Sequence, residues 1–208
     1  MINQAMAAKS RAMAVPEVVV ALSGRWLRLE HRAIQGLMFL LSVLILLNVA
    51  TRYAGRPIYW IDESAVYSVV WLTFIGASAM TRMRLDFAVT MLTERFSERG
   101  AAIFRIIATL GVLLFGIGLL VMCWLWLDPV GIAQAGFDAR EYAGQSFNFI
   151  YTERTQTLNW PTWVIYLIMP LFALSMSLHA LANLFEDLGL VEKQKLPGFA
   201  ANADGVVN

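Results

Sequence analysis

The chain is poor in the residues that most reactive sites are built from. Of 208 residues one is cysteine, two are histidine, and only 15% are charged, whereas 59% are hydrophobic. The single Cys123 permits no intrachain disulfide and no paired-cysteine metal or redox motif, so within its apolar run it reads as a small packing residue. A formal net charge of +1 gives neither the basic surface that nucleic acid requires nor an acidic trap. There is no HExxH and no GxSxG motif. Gly131 and Gly136 have the spacing of a phosphate loop, but Phe137 and Asp138 stand where Lys and Ser or Thr belong. No catalytic, cofactor-binding or metal-binding set emerges. What the chain has in abundance is apolar sequence: its mean hydropathy of +0.61 exceeds that of ordinary water-soluble domains and predicts a membrane protein.

A hydrocarbon core about 30 Å thick needs roughly 20 helical residues. Four runs qualify, over residues 33–50, 64–80, 106–127 and 162–184. None shows the period-2 alternation of a barrel strand, so the expectation is an all-α, polytopic membrane protein with four transmembrane helices. Pro170 predicts a kink in the fourth. Residues 15–29 and 85–99 mix apolar and basic residues and are expected to form interfacial amphipathic helices, the first beginning at Pro16. The expected organisation is an arm over 1–32, a four-helix membrane domain over 33–187 and a flexible tail over 188–208. Although basic residues precede the first run, no clean small-x-small cleavage site follows it, so it reads as a retained span.

Lys and Arg are distributed unevenly. Twelve of the 16 fall in the N-terminal arm (Lys9, Arg11, Arg25, Arg28, Arg32), the second loop with its edges (Arg82, Arg84, Arg95, Arg99, Arg105) and the tail (Lys193, Lys195). Arg52, Arg56, Arg140 and Arg154 fall on the other side. The positive-inside rule therefore predicts that both termini are cytoplasmic, with the first loop and a long third loop over 128–161 outside.

Inside the four runs the polar residues are mild, and no Asp, Glu, Lys or Arg interrupts the middle of a span. A transporter that works alone tends to carry intramembrane charges and paired broken helices, so this pattern suits a subunit better than a complete pump. His31 and His179 raise one alternative, a membrane anchor of a redox enzyme holding haem or quinone. A self-assembling channel is a third possibility, against which stands the lack of a polar pore face. Gly111, Gly116 and Gly118 suggest close helix packing in the third span.

The stretch WIDESAVYSVVWLTFIGASAMTR poses a separate question, because two acids stand at the mouth of an apolar run. In a helix starting near Asp62 both carboxylates occupy the first turn, where the helix dipole favours them and Asp62 can cap free amides. Arg52, about ten residues away across a tight turn, is placed to pair with Glu63. Trp60, Glu63, Tyr67, Trp71 and Phe74 recur at helical spacing, giving one aromatic-rich face expected to pack on another membrane protein.

The ordered set of Arg52, Trp60-Ile61-Asp62-Glu63, Trp71-Leu72-Thr73-Phe74-Ile75-Gly76-Ala77 and Arg82 resembles the small, DctQ-like membrane subunits of tripartite ATP-independent periplasmic (TRAP) transporters. Thr157-Leu158-Asn159-Trp160-Pro161 and the segment from Tyr166 to Pro170 are similar to that family's fourth-span pattern, and the resemblance covers roughly residues 25 to 187. The sequence departs from the pattern at Asp62, where Glu is usual, at Asp86, near where a His commonly follows the second span, and in its longer third loop. The resemblance implies a multi-pass protein of the bacterial inner membrane and a sodium-driven symport of organic acids. In such a system a periplasmic binding protein delivers substrate to a large multi-span permease subunit. This chain would be the small subunit, without a cofactor of its own; substrate and sodium sites would lie on the large one. Its expected partners are that permease, the binding protein and membrane lipids.

Overall fold

The computed structural model describes residues 2–85 and 97–194, with side chains from Val15 onward except that of Glu98. Seven helices follow one another among the described residues: α1 (Ile2–Tyr53), α2 (Tyr59–Met83), α3 (Glu98–Leu127), α4 (Pro129–Gln134), α5 (Ala139–Ser146), α6 (Thr162–Tyr166) and α7 (Ile168–Asp187). Among the described residues the one β pairing is an isolated bridge between Arg154 and Pro161. Four segments among the described residues are long and apolar enough to cross a membrane: Val15–Tyr53, Tyr59–Met83, Arg99–Gln134 and Thr162–Asp187. The all-α, four-span architecture expected from hydropathy is therefore present.

The helix ends differ from expectation. Residues 15–29 form no separate interfacial helix, because α1 runs unbroken from Ile2 to Tyr53 and carries Pro16 inside it. The preceding sequence, rich in Ala, Met and other strong helix formers, extends the helix ahead of the proline. No glycine or proline separates residues 29 and 33, so nothing interrupts the helix where an arm was expected to meet a span. Most of the expected interfacial helix over 85–99 lies outside the described residues, as do Asp86 and the tail from residue 195. The fourth span is two helices. The break falls at Leu167, before the proline: Pro170 has no N–H for the Tyr166 carbonyl, and the ladder parts there.

Contacts divide the chain into two compact units. One comprises residues 1–30, 77–115 and 175–208; the other comprises 31–76 and 116–174. In the first, Val20, Ser23, Leu27 and Glu30 recur at spacings of three and four and are all buried, together with Ala180, Ala182 and Asn183 of α7. Its acids Glu186 and Asp187 are paired with arginines. Arg82 donates to Glu186 at 2.6 Å, and the two side chains are only 1% and 3% exposed. Arg84 forks onto both oxygens of Asp187 at 2.9 and 2.8 Å and reaches the Asn183 carbonyl at 2.9 Å. Gln194 lies against Gly24, where an added Cβ would stand 2.7 Å from its amide oxygen.

In the second unit the third loop is structured rather than open. Asp128 caps α4 by accepting from the Gly131 amide at 2.9 Å, and Asp138 caps α5 by accepting from the amides of Arg140 and Glu141. Gly131 is required by that cap, since a Cβ there would collide with the Asp128 carboxylate; the pair that mimics a phosphate loop is local scaffolding. The loop also closes the end of α3. The Tyr151 hydroxyl donates to the Leu127 carbonyl and the Asn148 amide to the Trp126 carbonyl at 2.8 Å, satisfying acceptors a helix end leaves free. Tyr142 meets Tyr151 edge-on, Tyr151 meets Trp163 at a tilt, and Trp126 leans on Tyr166. Cys123 is buried, in keeping with a packing role. Gly111 and Gly118, by contrast, face open space within the chain rather than a neighbouring helix.

Candidate functional site

The acids of the α2 entry are positioned by where the helix starts. A turn with Gly55 at φ 71 and Pro57 ends the α1 connection, and α2 begins at Tyr59, earlier than the Asp62 start expected. Asp62 and Glu63 thus lie within the opening turns of the helix. Adjacent helical residues point about 100° apart, so the two carboxylates meet different neighbours. Asp62 accepts from Arg52 at 2.7 Å and from the Asn48 side-chain amide at 2.6 Å, while Arg52 donates through Nε to the Asn48 oxygen at 3.0 Å. The Arg52–Glu63 pair expected from the sequence is replaced by this closed ring of three side chains, and the Asp62 carboxylate is engaged by side chains rather than by the amide cap expected of it. With Arg52 and Asp62 side chains 58% and 44% exposed, the ion pair contributes at most about 1 kcal/mol.

Glu63 turns to the third loop. Residues 153–162 form a hairpin held by Thr155 N–H to Trp160 O at 2.8 Å and Thr162 N–H to Glu153 O at 3.1 Å, with Asn159 at φ 55 in its turn. The hairpin aims three successive amides at one point. Glu63 Oε1 accepts from Gln156 N–H at 2.8 Å, and Oε2 accepts from Thr157 N–H at 2.7 Å and Leu158 N–H at 2.9 Å. The Thr157 hydroxyl adds a fourth donor and the Tyr67 hydroxyl a fifth, at 3.0 Å. Successive amides in a turn form a concavity that suits an anion, and here a carboxylate of the same chain fills it. Beside this clasp lies a cleft of about 610 Å³ lined by Tyr59, Asp62, Glu63, Tyr67, Glu153 and Gln156, among others.

The rest of the aromatic face is drawn inward. Trp71 donates to the Ile165 carbonyl at 3.2 Å, and Phe74 meets Phe172 edge-on with centroids 5.2 Å apart. Of the five residues expected to face a partner, Glu63, Tyr67, Trp71 and Phe74 are engaged within the unit, whereas Trp60 is exposed. Thr157 and Leu158 stand out in the sequence only as part of the fourth-span pattern; nothing local ties residues 156–158, more than 90 positions away, to Glu63.

A second polar cluster lies in the first unit and includes a residue that sequence reasoning did not single out. Glu30, in the charged stretch ahead of the expected first span, is buried. One of its oxygens accepts from the Ser175 hydroxyl; the other lies 3.0 Å from His179 Nε2. Ser23 Oγ is 2.7 Å from His179 Nδ1, and Ser175 accepts from Trp26 Nε1 and Ser78 Oγ, each at 2.7 Å. The order Ser23, His179, Glu30 imitates a nucleophile triad, but Ser23 and His179 are fully enclosed and leave no room for a substrate. The cluster is a buried network in which each of these polar side chains has a partner. The spacing of Val20, Ser23, Leu27 and Glu30 was the available signal.

The four long apolar segments among the described residues define the class, a multi-pass membrane protein. A family model for the tripartite ATP-independent periplasmic transporters, DctQ component, matches residues 41–190. The chain belongs to this family, and so is a small membrane component of a transporter, not an enzyme. No curated protein and no solved structure matches it.

Proposed function

We propose that this component braces a large permease subunit in a sodium-driven system that imports organic anions. The observation that carries this reading is how little the spans cover one another: 6, 11, 11 and 33% of their most apolar windows are buried within the chain. A transporter sufficient by itself would line a path with these helices; here their surface is left for lipid and for another membrane protein. Gly111 and Gly118, open on α3, leave room for a close helix neighbour.

In this reading both termini and the second loop are cytoplasmic, as the excess of Lys and Arg there directs. The Glu63 clasp, the cleft beside it and Trp60 then face the periplasm and offer a firm platform on which a binding protein docks. Sodium and substrate are held by the large subunit.

Purification of the tagged chain from native membranes in mild detergent tests the proposal, followed by uptake measurements with the sodium gradient intact or collapsed. A polytopic permease recovered in equal amount, and uptake lost with the gradient, is the expected result. Recovery with a soluble dehydrogenase, or alone with a Soret band, would favour the redox anchor instead. That alternative has little to draw on, because both ring nitrogens of His179 are already engaged by Ser23 and Glu30.

A further inference from the structure

The third loop carries two phenylalanines that nothing in its own unit covers. Phe147 and Phe149 are 81% and 54% exposed, although the same loop buries Tyr142 and Ile150. Phe147 is also the C-cap of α5, at φ 55 in the left-handed region, where Gly or Asn serves at less cost. A bulky apolar side chain in that conformation and in water gains nothing from the described fold.

Between the two stands Asn148, whose side-chain amide is fixed to the Trp126 carbonyl at 2.8 Å. That bond ties the residue between the two phenylalanines to the last turn of α3. The Tyr151 hydroxyl, bonded to the neighbouring Leu127 carbonyl, fixes the loop a second time. The same turn of α3 exposes Trp124 and Trp126, the residue type that marks the boundary between hydrocarbon and water. The loop therefore holds Phe147 and Phe149 beside the point where α3 leaves the membrane, next to an existing aromatic rim.

We infer that Phe147 and Phe149 are a lipid anchor: the third loop sets its aromatic tip into the headgroup and acyl boundary of the leaflet it faces. Flexible loops are not drawn into that boundary without apolar side chains to bury, and interfacial segments use Phe, Trp and Leu for this purpose. The strained C-cap is explained, because it turns the Phe147 ring away from the loop's interior. Bound in this way, the loop fixes the hairpin that grips Glu63 relative to the bilayer surface. The inference needs only the membrane-spanning character of α3 and stands whether or not the chain braces a permease.

The test uses the full chain in lipid nanodiscs, with Cys123→Ala and Phe147→Cys and an environment-sensitive fluorophore on the new thiol. Emission is expected to shift to the blue, to fall about twofold when headgroup-spin-labelled lipid is included, and to resist a water-soluble quencher. Phe149→Cys, labelled in the same way, supplies an independent position should the first variant fail to fold. Water-like emission that the soluble quencher reaches and the labelled lipid does not would overturn the inference. So would protection from the soluble quencher that arises only when the other transporter components are added, which would assign the two rings to a protein partner.

Discussion

The Glu63 carboxylate accepts the Thr157 amide at 2.7 Å, joining the first turns of α2 to a hairpin 94 residues further along the chain. Because the amides of Gln156 and Leu158 converge on the same group, one side chain sets the position of the whole hairpin. Glu63→Gln replaces one acceptor oxygen by a donor that faces an N–H. Hydrogen exchange at residues 156–158 is expected to accelerate by about tenfold, with little change in the spans. Unchanged exchange there would mean that the hairpin is held by its own bonds.

The aromatic face divides into a surface residue and buried ones, and substitutions should separate them. Trp71→Ala removes the bond to the Ile165 carbonyl and its packing, and is expected to lower the melting temperature of the detergent-solubilised protein. Trp60→Ala should leave the melting temperature unchanged and weaken co-purification of the other transporter components. The opposite pattern would return Trp71 to the role of a partner contact.

Much of the architecture was legible in the sequence because hydropathy is a property of contiguous residues. The four apolar runs needed only to be long enough, and the ordered W-I-D-E and W-L-T-F-I-G-A segments pointed to the family. Helix ends and side-chain partners were less legible. Arg52 had two acids within reach, and the start of α2 at Tyr59 decided which faced it. Glu30 stands in a charged stretch with nothing beside it to mark it as buried, and only the packing of α7 supplies His179 and Ser175 to receive it. The clasp on residues 156–158 depends on a turn geometry that no single residue type announces.

The third loop offers a test by pH. The amides of Glu141 and Arg140 hold the Asp138 carboxyl below its ordinary value of 3.8. A carboxyl whose value is lower when folded contributes stability above its unfolded value and loses it as pH falls through the folded one. The cap on α5 is thus expected to stay intact from neutrality down through mild acid and to loosen only in strong acid. Exchange rates at Arg140 and Glu141 would report it, and Asp138→Asn, which still accepts a hydrogen bond, should flatten the dependence. Loosening already in mild acid would assign the order of α5 to another group.

His179 joins Ser23 to Glu30 in a site with no access to water, so its removal leaves two buried polar groups without that partner. His179→Ala is expected to cost about 2–3 kcal/mol, and Ser23→Ala, which removes one end of the network, about 1 kcal/mol. Thermal unfolding in detergent would rank them. Equal effects would mean that water fills the space left by the ring.

The Arg82–Glu186 pair has the clearest energetic signature. Both side chains are withdrawn from solvent, and Arg82 also donates to the Asn183 oxygen. Taking either partner away leaves the other charge buried, so Arg82→Met or Glu186→Leu alone should cost about 3–5 kcal/mol. The double variant exchanges two charges for two apolar groups of similar length and should recover much of that loss, since burying an ion pair costs nearly as much as its attraction returns. Arg84 complicates the recovery, because it reaches Glu186 at 3.4 Å while keeping its fork on Asp187. A double-mutant cycle on unfolding should therefore give a large favourable coupling between residues 82 and 186. Additive losses, with no recovery in the double variant, would mean that each residue is held by the surrounding network rather than by the other.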